Sequence, residues 1–295
     1  MTGADRCAVC DGDQRKVEYE TEALSVSVCA ACGHREARHA AVATAASDYY
    51  EHTPQGEAFL ASLQATRRRQ ARDILGRFAA RASQPRAWLD FGCGRGWFLD
   101  EARRAGAAPV AGFDTSEHAT RWLAAEGYSV TQPRIDDPTW PDFSSLPFAP
   151  VVVSALDVIE HLPRAAAERA LCRLRAELPR MTWLVVKVPI SEGTLYRIAR
   201  GGRYLFPAVY RQLYQFGTVP PHYHYFSTHS LRLLLARAGF EVTDTWTDHD
   251  VDNLFHRIPP LSRLPGGEYA ARTLRMFPAD SAIVVARVRD RADAE

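Results

Sequence analysis

The stretch that decides the fold is AWLDFGCGRG at residues 87–96, which runs directly into WFLDEARRAG at residues 97–106. A short apolar run, a glycine-rich turn and a helical stretch follow one another in that order. The glycines let the backbone approach a ligand closely, and the first turn of the helix offers free N–H groups to a negatively charged group. The spacing is G-x-G-x-G, and Trp97 stands where a dinucleotide-binding loop carries its third glycine. The pattern therefore disfavours a nicotinamide cofactor.

A second apolar run, at residues 109–113, ends in Asp114. An acid at the end of the second strand suits a bidentate hydrogen bond to two ribose hydroxyls. Further apolar runs predict strands at residues 128–132, 151–154, 183–188, 240–246 and 281–288.

Four motifs in order, DFGCGRG, GFDTSE, SALDVIEHL and LVVKVP, resemble those of class I S-adenosylmethionine (SAM)-dependent methyltransferases, and HYFSTHSLRLLLARAGFEV resembles the late segment of the same superfamily. The resemblance runs from about residue 88 to residue 242. It implies an α/β fold with a Rossmann-like seven-stranded sheet that is mostly parallel and has an antiparallel last strand. It also implies SAM as the cofactor. The chain departs from the pattern at Ala149 and Pro150, where relatives usually carry an acid. This departure slightly favours the alternative that the chain is an inactive member of the superfamily.

The same resemblance assigns cofactor-binding roles to single residues. The loop around the methionine part of SAM is formed by Asp90, Gly92, Gly94 and Gly96. Asp114 holds the ribose and Thr115 flanks it. Asp136 or Asp137 contacts the adenine amine, and we favour Asp136; a simple loop pair before Pro138 is the alternative.

The resemblance also places Leu156 and Asp157 on the wall near the sulfonium. Methyl transfer is an in-line displacement, and an oxygen or acidic carbon nucleophile is helped by a base that titrates near pH 7, for which histidine fits best. His161 follows the fourth strand, at the face where substrate binds. His222 and His224 are two residues apart, so an extended segment would put both on one face.

Alternatives for these residues stay open. Each histidine could be a packed structural residue instead of a base. Glu160 is expected to be a structural hydrogen-bond partner. With His229, the histidines of this segment could hold a second metal, which the lack of an acid nearby in sequence disfavours.

Near the N-terminus, Cys7-x-x-Cys10 and Cys29-x-x-Cys32 form two matched pairs. Two thiolates three residues apart on a tight turn can reach one metal ion, and two such turns complete a tetrahedron. We therefore predict a zinc ribbon whose zinc is structural, because four protein ligands leave no open position. Between the pairs, residues 16–20 and 24–29 predict two short strands. His34 or His39 in place of a cysteine is a less favoured alternative.

Three domains are expected: a zinc ribbon at residues 1–45, a helical cap at 46–82 and a SAM-binding domain at 83–295. Residues 190–226 are longer than a simple link and predict a substrate lid. The lid could form an aromatic pocket in which an arginine meets an anionic group, or a hairpin with solvated arginines; the arginines concerned are Arg197, Arg200, Arg203 and Arg211. The arginines at 67–72 are expected to form a solvated helix face, with an anion or RNA patch as the alternative.

Composition narrows the function classes. With 36 basic and 35 acidic side chains the formal net charge is +1, which speaks against a nucleic-acid partner. No apolar run approaches the roughly 20 residues that a membrane span needs, and no secretory signal is seen, so a cytoplasmic location with reduced cysteines is expected.

The predicted function is methyl transfer to a small anionic or aromatic molecule, with oxygen as the favoured acceptor atom, in specialised metabolism such as antibiotic biosynthesis or in glycan modification. Nitrogen and carbon acceptors stay open. One alternative is an RNA methyltransferase that binds RNA through its ribbon, since some rRNA methyltransferases carry a zinc ribbon. Another is a non-catalytic SAM-binding scaffold.

Overall fold

The computed structural model describes residues 6–40, 56–80, 86–131, 137, 139–164, 166–179, 182–215, 220–249 and 276–288. Within those ranges, no helix has the length and apolar character that crossing a membrane requires.

Strands occur in two sheets of the described chain. In chain order they are β1 (Arg15–Glu20), β2 (Leu24–Cys29), β3 (Arg35–His39), β4 (Trp88–Phe91), β5 (Val110–Phe113), β6 (Ser129–Val130), β7 (Val152–Leu156), β8 (Trp183–Pro189), β9 (His224–Tyr225), β10 (Phe240–Asp248) and β11 (Ser281–Val288). The helices are α1 (Gly56–Ala79), α2 (Trp97–Arg104), α3 (Glu117–Ala125), α4 (Ala166–Glu177), α5 (Thr194–Gly201), α6 (Pro207–Leu213) and α7 (Thr228–Arg237), with 3-10 turns at Phe143–Ser145 and Ile159–His161.

The larger sheet confirms the predicted fold class. Its seven strands have the order β10-β11-β8-β7-β4-β5-β6. The five strands from β6 to β8 pair in parallel, and β11 runs antiparallel to both β8 and β10. The antiparallel strand is thus the last in the chain, as the resemblance implied.

Apolar side chains on both faces of this sheet explain why its central strands read as continuous apolar runs. Leu184, Val186 and Val188 of β8 join the core under α4 and α7. Val185 points the other way and packs in the core under α1 and α2. Because both faces of the sheet are covered, a ligand-binding site is expected at the carboxyl ends of the parallel strands.

The smaller sheet joins the ribbon to the rest of the chain. β1 and β2 are the two strands that were predicted between the cysteine pairs, and they pair antiparallel with each other. β3, which was not predicted, pairs with β2 on one side and with β9 on the other, where Arg35 lies opposite Tyr225 and Glu36 opposite His224. The ribbon therefore shares a sheet with the segment that carries two of the predicted catalytic histidines.

The arginines of α1 do not form the solvated face that was expected. Arg67 pairs with Asp157, with 2.9 Å between the charged atoms. Arg69 makes a bidentate pair with Asp248 at 2.8 and 2.9 Å, and Arg68 pairs with Asp100 and Glu101 of α2. Of this group, Arg72 is mostly exposed, and it still lies 3.4 Å from Glu101. These ion pairs fasten α1 to the sheet domain and leave little charge for an RNA patch.

The predicted lid region contains α5 and α6, but its arginines and most of its tyrosines do not line the pocket. Tyr210 and Tyr214 are fully buried and pack with Tyr19 and Tyr225 between the lid and the ribbon. The guanidinium of Arg200 donates to the carbonyl of Ser191. The aromatic side chains therefore bind the lid to the ribbon.

Candidate functional site

The carboxyl ends of β4, β5, β7 and β8 surround one cavity of about 820 Å³. The glycine loop after β4 forms one part of its wall. The other part is formed by the turn after β7 and by the lid, through Leu195, Tyr196, Leu213 and His222. The cavity thus joins the predicted cofactor loop to the predicted substrate side.

The glycine loop needs glycine for two physical reasons. Gly92, Gly94 and Gly96 have φ angles of 78°, 48° and 69°, in the left-handed region that other residues avoid. A Cβ atom on Gly92 would lie 2.4 Å from Cγ2 of Val158, and one on Gly96 would lie 2.4 Å from Cδ2 of Leu123. The loop is therefore a tight cradle whose backbone can come close to a ligand.

Asp114 lies at the end of β5, where the sequence placed the ribose acid. Its Oδ2 accepts a hydrogen bond from the Gly94 N–H at 2.8 Å, and its Oδ1 accepts one from the Ser116 N–H at 2.8 Å. Each carboxylate oxygen keeps a second lone pair, so the group can still bind two hydroxyls. Burial raises the pKa of Asp114, and the backbone N–H groups oppose that rise. Thr115 follows it at the exposed rim of the cavity.

Asp90 is the second-last residue of β4, at the base of the loop, and is almost fully buried. The hydroxyl of Ser154 donates to its Oδ1 at 2.5 Å and accepts from the indole N–H of Trp88 at 2.9 Å. Burial raises the pKa of Asp90 to about 7. A carboxyl group so placed can bind the amino group of an amino-acid ligand, since that cation favours the ionised form.

Of the two acids considered for adenine, Asp136 lies outside the described residues. Asp137 lies on the cavity wall, where its carboxylate accepts from Arg173 at 2.6 Å and from the Thr139 hydroxyl at 2.6 Å. These two hydrogen bonds lower the pKa of Asp137. The preference for Asp136 stays a prediction.

Leu156 ends β7 and Asp157 follows it, and both line the cavity. Asp157 has a φ of 58°, which is uncommon for a residue other than glycine and often marks a functional turn. Its carboxylate accepts from Nζ of Lys187 at 2.7 and 3.0 Å and pairs with Arg67 at 2.9 Å. Lys187 was missed, although a lone lysine inside the apolar run LVVKVP is a readable signal of a buried ion pair.

The structure separates the three predicted catalytic histidines. His161 and His222 both line the cavity, with ring centroids 4.3 Å apart and nearly perpendicular rings. His224 instead lies in the smaller sheet, where its Nδ1 is 3.1 Å from Nε2 of His34. Burial lowers the pKa of His224 to about 4. The expectation that His222 and His224 flank the pocket together is therefore not met, because β9 turns His224 towards the ribbon.

Glu160 differs from its expected role as a hydrogen-bond partner. It is fully buried and lines the cavity, yet neither carboxylate oxygen has a hydrogen-bond partner within the described residues. Burial raises the pKa of Glu160 well above its usual range, and the nearby charge of Asp157 raises it further. No local sequence pattern indicated this, because the burial of Glu160 depends on the segments that fold over the 3-10 turn at Ile159–His161.

The four ribbon cysteines converge as predicted. Sγ of Cys7 lies 3.6 Å from Sγ of Cys32, and Sγ of Cys10 lies 3.5 Å from Sγ of Cys29. A regular tetrahedron with metal–sulfur bonds of about 2.3 Å has sulfur atoms about 3.8 Å apart, so the spacing fits a four-thiolate metal site. A hydrogen bond from Cys32 lowers the pKa of the Cys7 thiol to about 5. His34 and His39 are engaged elsewhere, with His224 and with the carbonyl of His222.

Comparisons with known proteins agree with this fold. The chain resembles the magnesium protoporphyrin IX methyltransferase of Synechocystis PCC 6803, solved with bound S-adenosylhomocysteine (SAH), at 15% identity and a TM-score of 0.52, over 81% of this chain and 90% of that one. It resembles a SAM-dependent methyltransferase of Archaeoglobus fulgidus at 17% identity and a TM-score of 0.45, over 75% and 94%. None of the curated proteins compared matches the chain.

A family model described as a methyltransferase domain matches residues 63–245, which is more than half of the chain. This range contains the glycine loop, Asp114, the turn after β7 and both cavity histidines. The chain therefore belongs to the methyltransferase-domain family and is a class I SAM-dependent methyltransferase with a four-cysteine cluster near its N-terminus.

Proposed function

We propose that this protein transfers the methyl group of SAM to an oxygen atom of a small molecule, in specialised metabolism such as antibiotic biosynthesis or in glycan modification. The observation that carries the proposal is the shared cavity. Its volume of about 820 Å³ is near the upper end of the roughly 300–1,000 Å³ range of ligand pockets, which leaves room for a cofactor and a small acceptor together.

The cofactor would lie over the glycine loop. Asp90 and the loop glycines would hold the methionine part, Asp114 and Thr115 the ribose, and Leu156 and Asp157 the wall beside the sulfonium. Because Asp157 is paired with Lys187 and Arg67, its carboxylate is fixed in place and shields the sulfonium side without acting as a base.

The acceptor would enter between α4 and the lid. Arg169 of α4 is exposed and lines the cavity, which favours an acceptor with an anionic group. Methyl transfer is an in-line displacement, so holding the acceptor oxygen opposite the sulfur supplies much of the rate. His161 and His222 are the side chains placed to assist the loss of the hydroxyl proton.

We further propose that the four cysteines bind a structural zinc ion. The support is the set of sulfur distances, together with the burial of Cys7, Cys29 and Cys32. Protein purified under reducing conditions should carry close to one equivalent of zinc, and less than half an equivalent would contradict the proposal. The expected cytoplasmic location stays a prediction.

The acceptor class can be tested with methyl-labelled SAM and an extract of the host. Small molecules, RNA and protein are then separated and the label in each is counted, with Asp114→Ala as a control that has lost the ribose acid. Label in small molecules that depends on Asp114 supports the proposal. Label in RNA would favour the alternative in which the ribbon binds RNA. Tight SAH binding without label in any fraction would favour the non-catalytic SAM-binding scaffold.

A further inference from the structure

Three side chains on the acceptor side of the cavity place potential metal ligands together. Glu160 offers a carboxylate oxygen, and His161 and His222 each offer a ring nitrogen, and these atoms all lie within 4.8 Å of one another. Glu160 and His161 come from the 3-10 turn after β7, whereas His222 comes from the lid. The peptide N–H of Tyr223 donates to the carbonyl of Glu160 at 2.8 Å and holds the two segments together.

Glu160 is the first independent reason to expect a cation here. In a buried site without hydrogen bonds the ionised carboxylate is unfavourable, and a bound cation would stabilise it by compensating its charge. Lys187 and Arg67, whose charges act on Glu160, both bind the carboxylate of Asp157. Both oxygens of Glu160 therefore remain available as ligands on the cavity wall.

The second reason is the orientation of His161. Its Nδ1 lies 3.0 Å from the carbonyl oxygen of Pro221. A carbonyl oxygen can only accept, so Nδ1 carries the proton in this contact, and Nε2 is the ring nitrogen that can serve as a metal ligand. Metal-binding histidines are commonly held in this way, with the other ring nitrogen donating to a backbone carbonyl.

We propose that Glu160, His161 and His222 bind a divalent transition-metal cation that holds the acceptor hydroxyl of the proposed methyl transfer. Two imidazoles and one carboxylate suit Mn²⁺, Fe²⁺, Co²⁺ or Zn²⁺, and three protein ligands leave positions open for substrate. This inference rests on the proposed function and deepens it, because it names an acceptor class: alcohols or phenols that can coordinate a metal through oxygen.

The step balances without a further reactant. Coordination lowers the pKa of the hydroxyl, whose proton leaves to solvent water instead of to a histidine. A lone pair of the resulting oxygen forms the bond to the methyl carbon of SAM. The carbon–sulfur bond breaks, and its electron pair stays on sulfur as the neutral thioether of SAH.

Mn²⁺ is the probe for this site, because it prefers oxygen and imidazole ligands and competes poorly for the four-thiolate cluster. The full-length protein, with its ribbon metal retained, is titrated with MnCl2 by calorimetry and by the loss of the free Mn²⁺ electron-spin signal. We expect about one bound Mn²⁺ per chain. Glu160→Gln and His222→Ala should each weaken the binding at least about tenfold.

His229→Ala is the matched control, because His229 lies in the same stretch of sequence but is exposed in the first turn of α7. It should bind Mn²⁺ as the wild type does. SAH binding by each variant shows that it is folded, since the glycine loop contains none of these residues. Glu160→Gln keeps the shape of the side chain and serves if His222→Ala does not fold.

The outcomes separate the two proposals. A wild type that binds SAH but no Mn²⁺, Co²⁺ or Zn²⁺ beyond the cysteine cluster overturns the metal site and leaves the methyltransferase proposal standing. Mn²⁺ affinity that is unchanged in both Glu160→Gln and His222→Ala also overturns it. Metal binding that is lost in these variants, without any labelled small molecule, supports the site and contradicts the proposed acceptor class.

Discussion

Asp90→Asn should change how the stability of the unliganded protein depends on pH. The carboxyl of Asp90 has a pKa of about 7 in the folded protein because it is buried, compared with 3.8 ordinarily. Between these values the folded state binds more protons than the unfolded state, so stability falls as pH rises. This difference between the two pKa values of Asp90 corresponds to about 4 kcal/mol of unfolding free energy. About 2.5 kcal/mol of that stability is lost between about pH 5 and pH 8. Asparagine does not titrate and should remove this loss.

The assay is urea unfolding followed by tryptophan fluorescence, at several pH values in that range. The wild type should lose about 2–3 kcal/mol relative to Asp90→Asn as the pH rises, and Glu117→Gln, an exposed carboxylate in α3, should follow the wild type. Parallel curves for wild type and Asp90→Asn, within about 0.5 kcal/mol, would refute the reasoning. In the same pH range, the affinity of the wild type for SAH should rise with pH, because the cationic amino group of SAH favours the ionised carboxylate of Asp90.

Three further substitutions test the site and the ribbon. Asp114→Ala should weaken SAH binding by about 1–3 kcal/mol, measured by calorimetry, because it removes charge-assisted hydrogen bonds; an unchanged affinity would remove the ribose assignment. Gly92→Ala should weaken SAH binding at least about tenfold, because its Cβ would lie 2.4 Å from Val158, and adding Val158→Ala should restore part of the affinity. Cys29→Ser should lower the zinc content and the unfolding temperature of the ribbon; a zinc content equal to wild type would exclude Cys29 as a ligand.

The fold could be predicted because its signals are local. The glycine loop has positive φ angles at three positions, and Ser281–Val288 contains an uninterrupted apolar run at residues 282–286 that predicts a strand by itself. The strand Arg35–His39 could not be found in this way, because REARH lacks an apolar alternation. It exists through pairing with Leu24–Cys29 and with His224–Tyr225, which lies far away in the sequence.

The cofactor side of the site could also be predicted from local sequence signals. The acceptor side could be predicted less well. Asp114 follows its strand directly, so position in sequence fixes position in space. The burial of Glu160 and the pairing of Arg67 with Asp157 depend instead on how α1 and the lid fold back over the sheet. Sequence spacing carries no information about such contacts. For this reason the sequence predicted that Arg67 lies on a solvated helix face.

The segment from Pro221 to Tyr225 connects the ribbon to the acceptor side of the cavity. The carbonyl of Pro221 orients His161, and the carbonyl of His222 accepts from Nε2 of His39 in the ribbon at 3.0 Å. None of these contacts touches the glycine loop or Asp114. Loosening the ribbon should therefore displace His222 and leave the cofactor side intact. The ribbon then holds the acceptor side of the cavity in position. We therefore expect Cys29→Ser to weaken Mn²⁺ binding much more than SAH binding. Equal losses of both would mean that the whole domain depends on the ribbon for its folding.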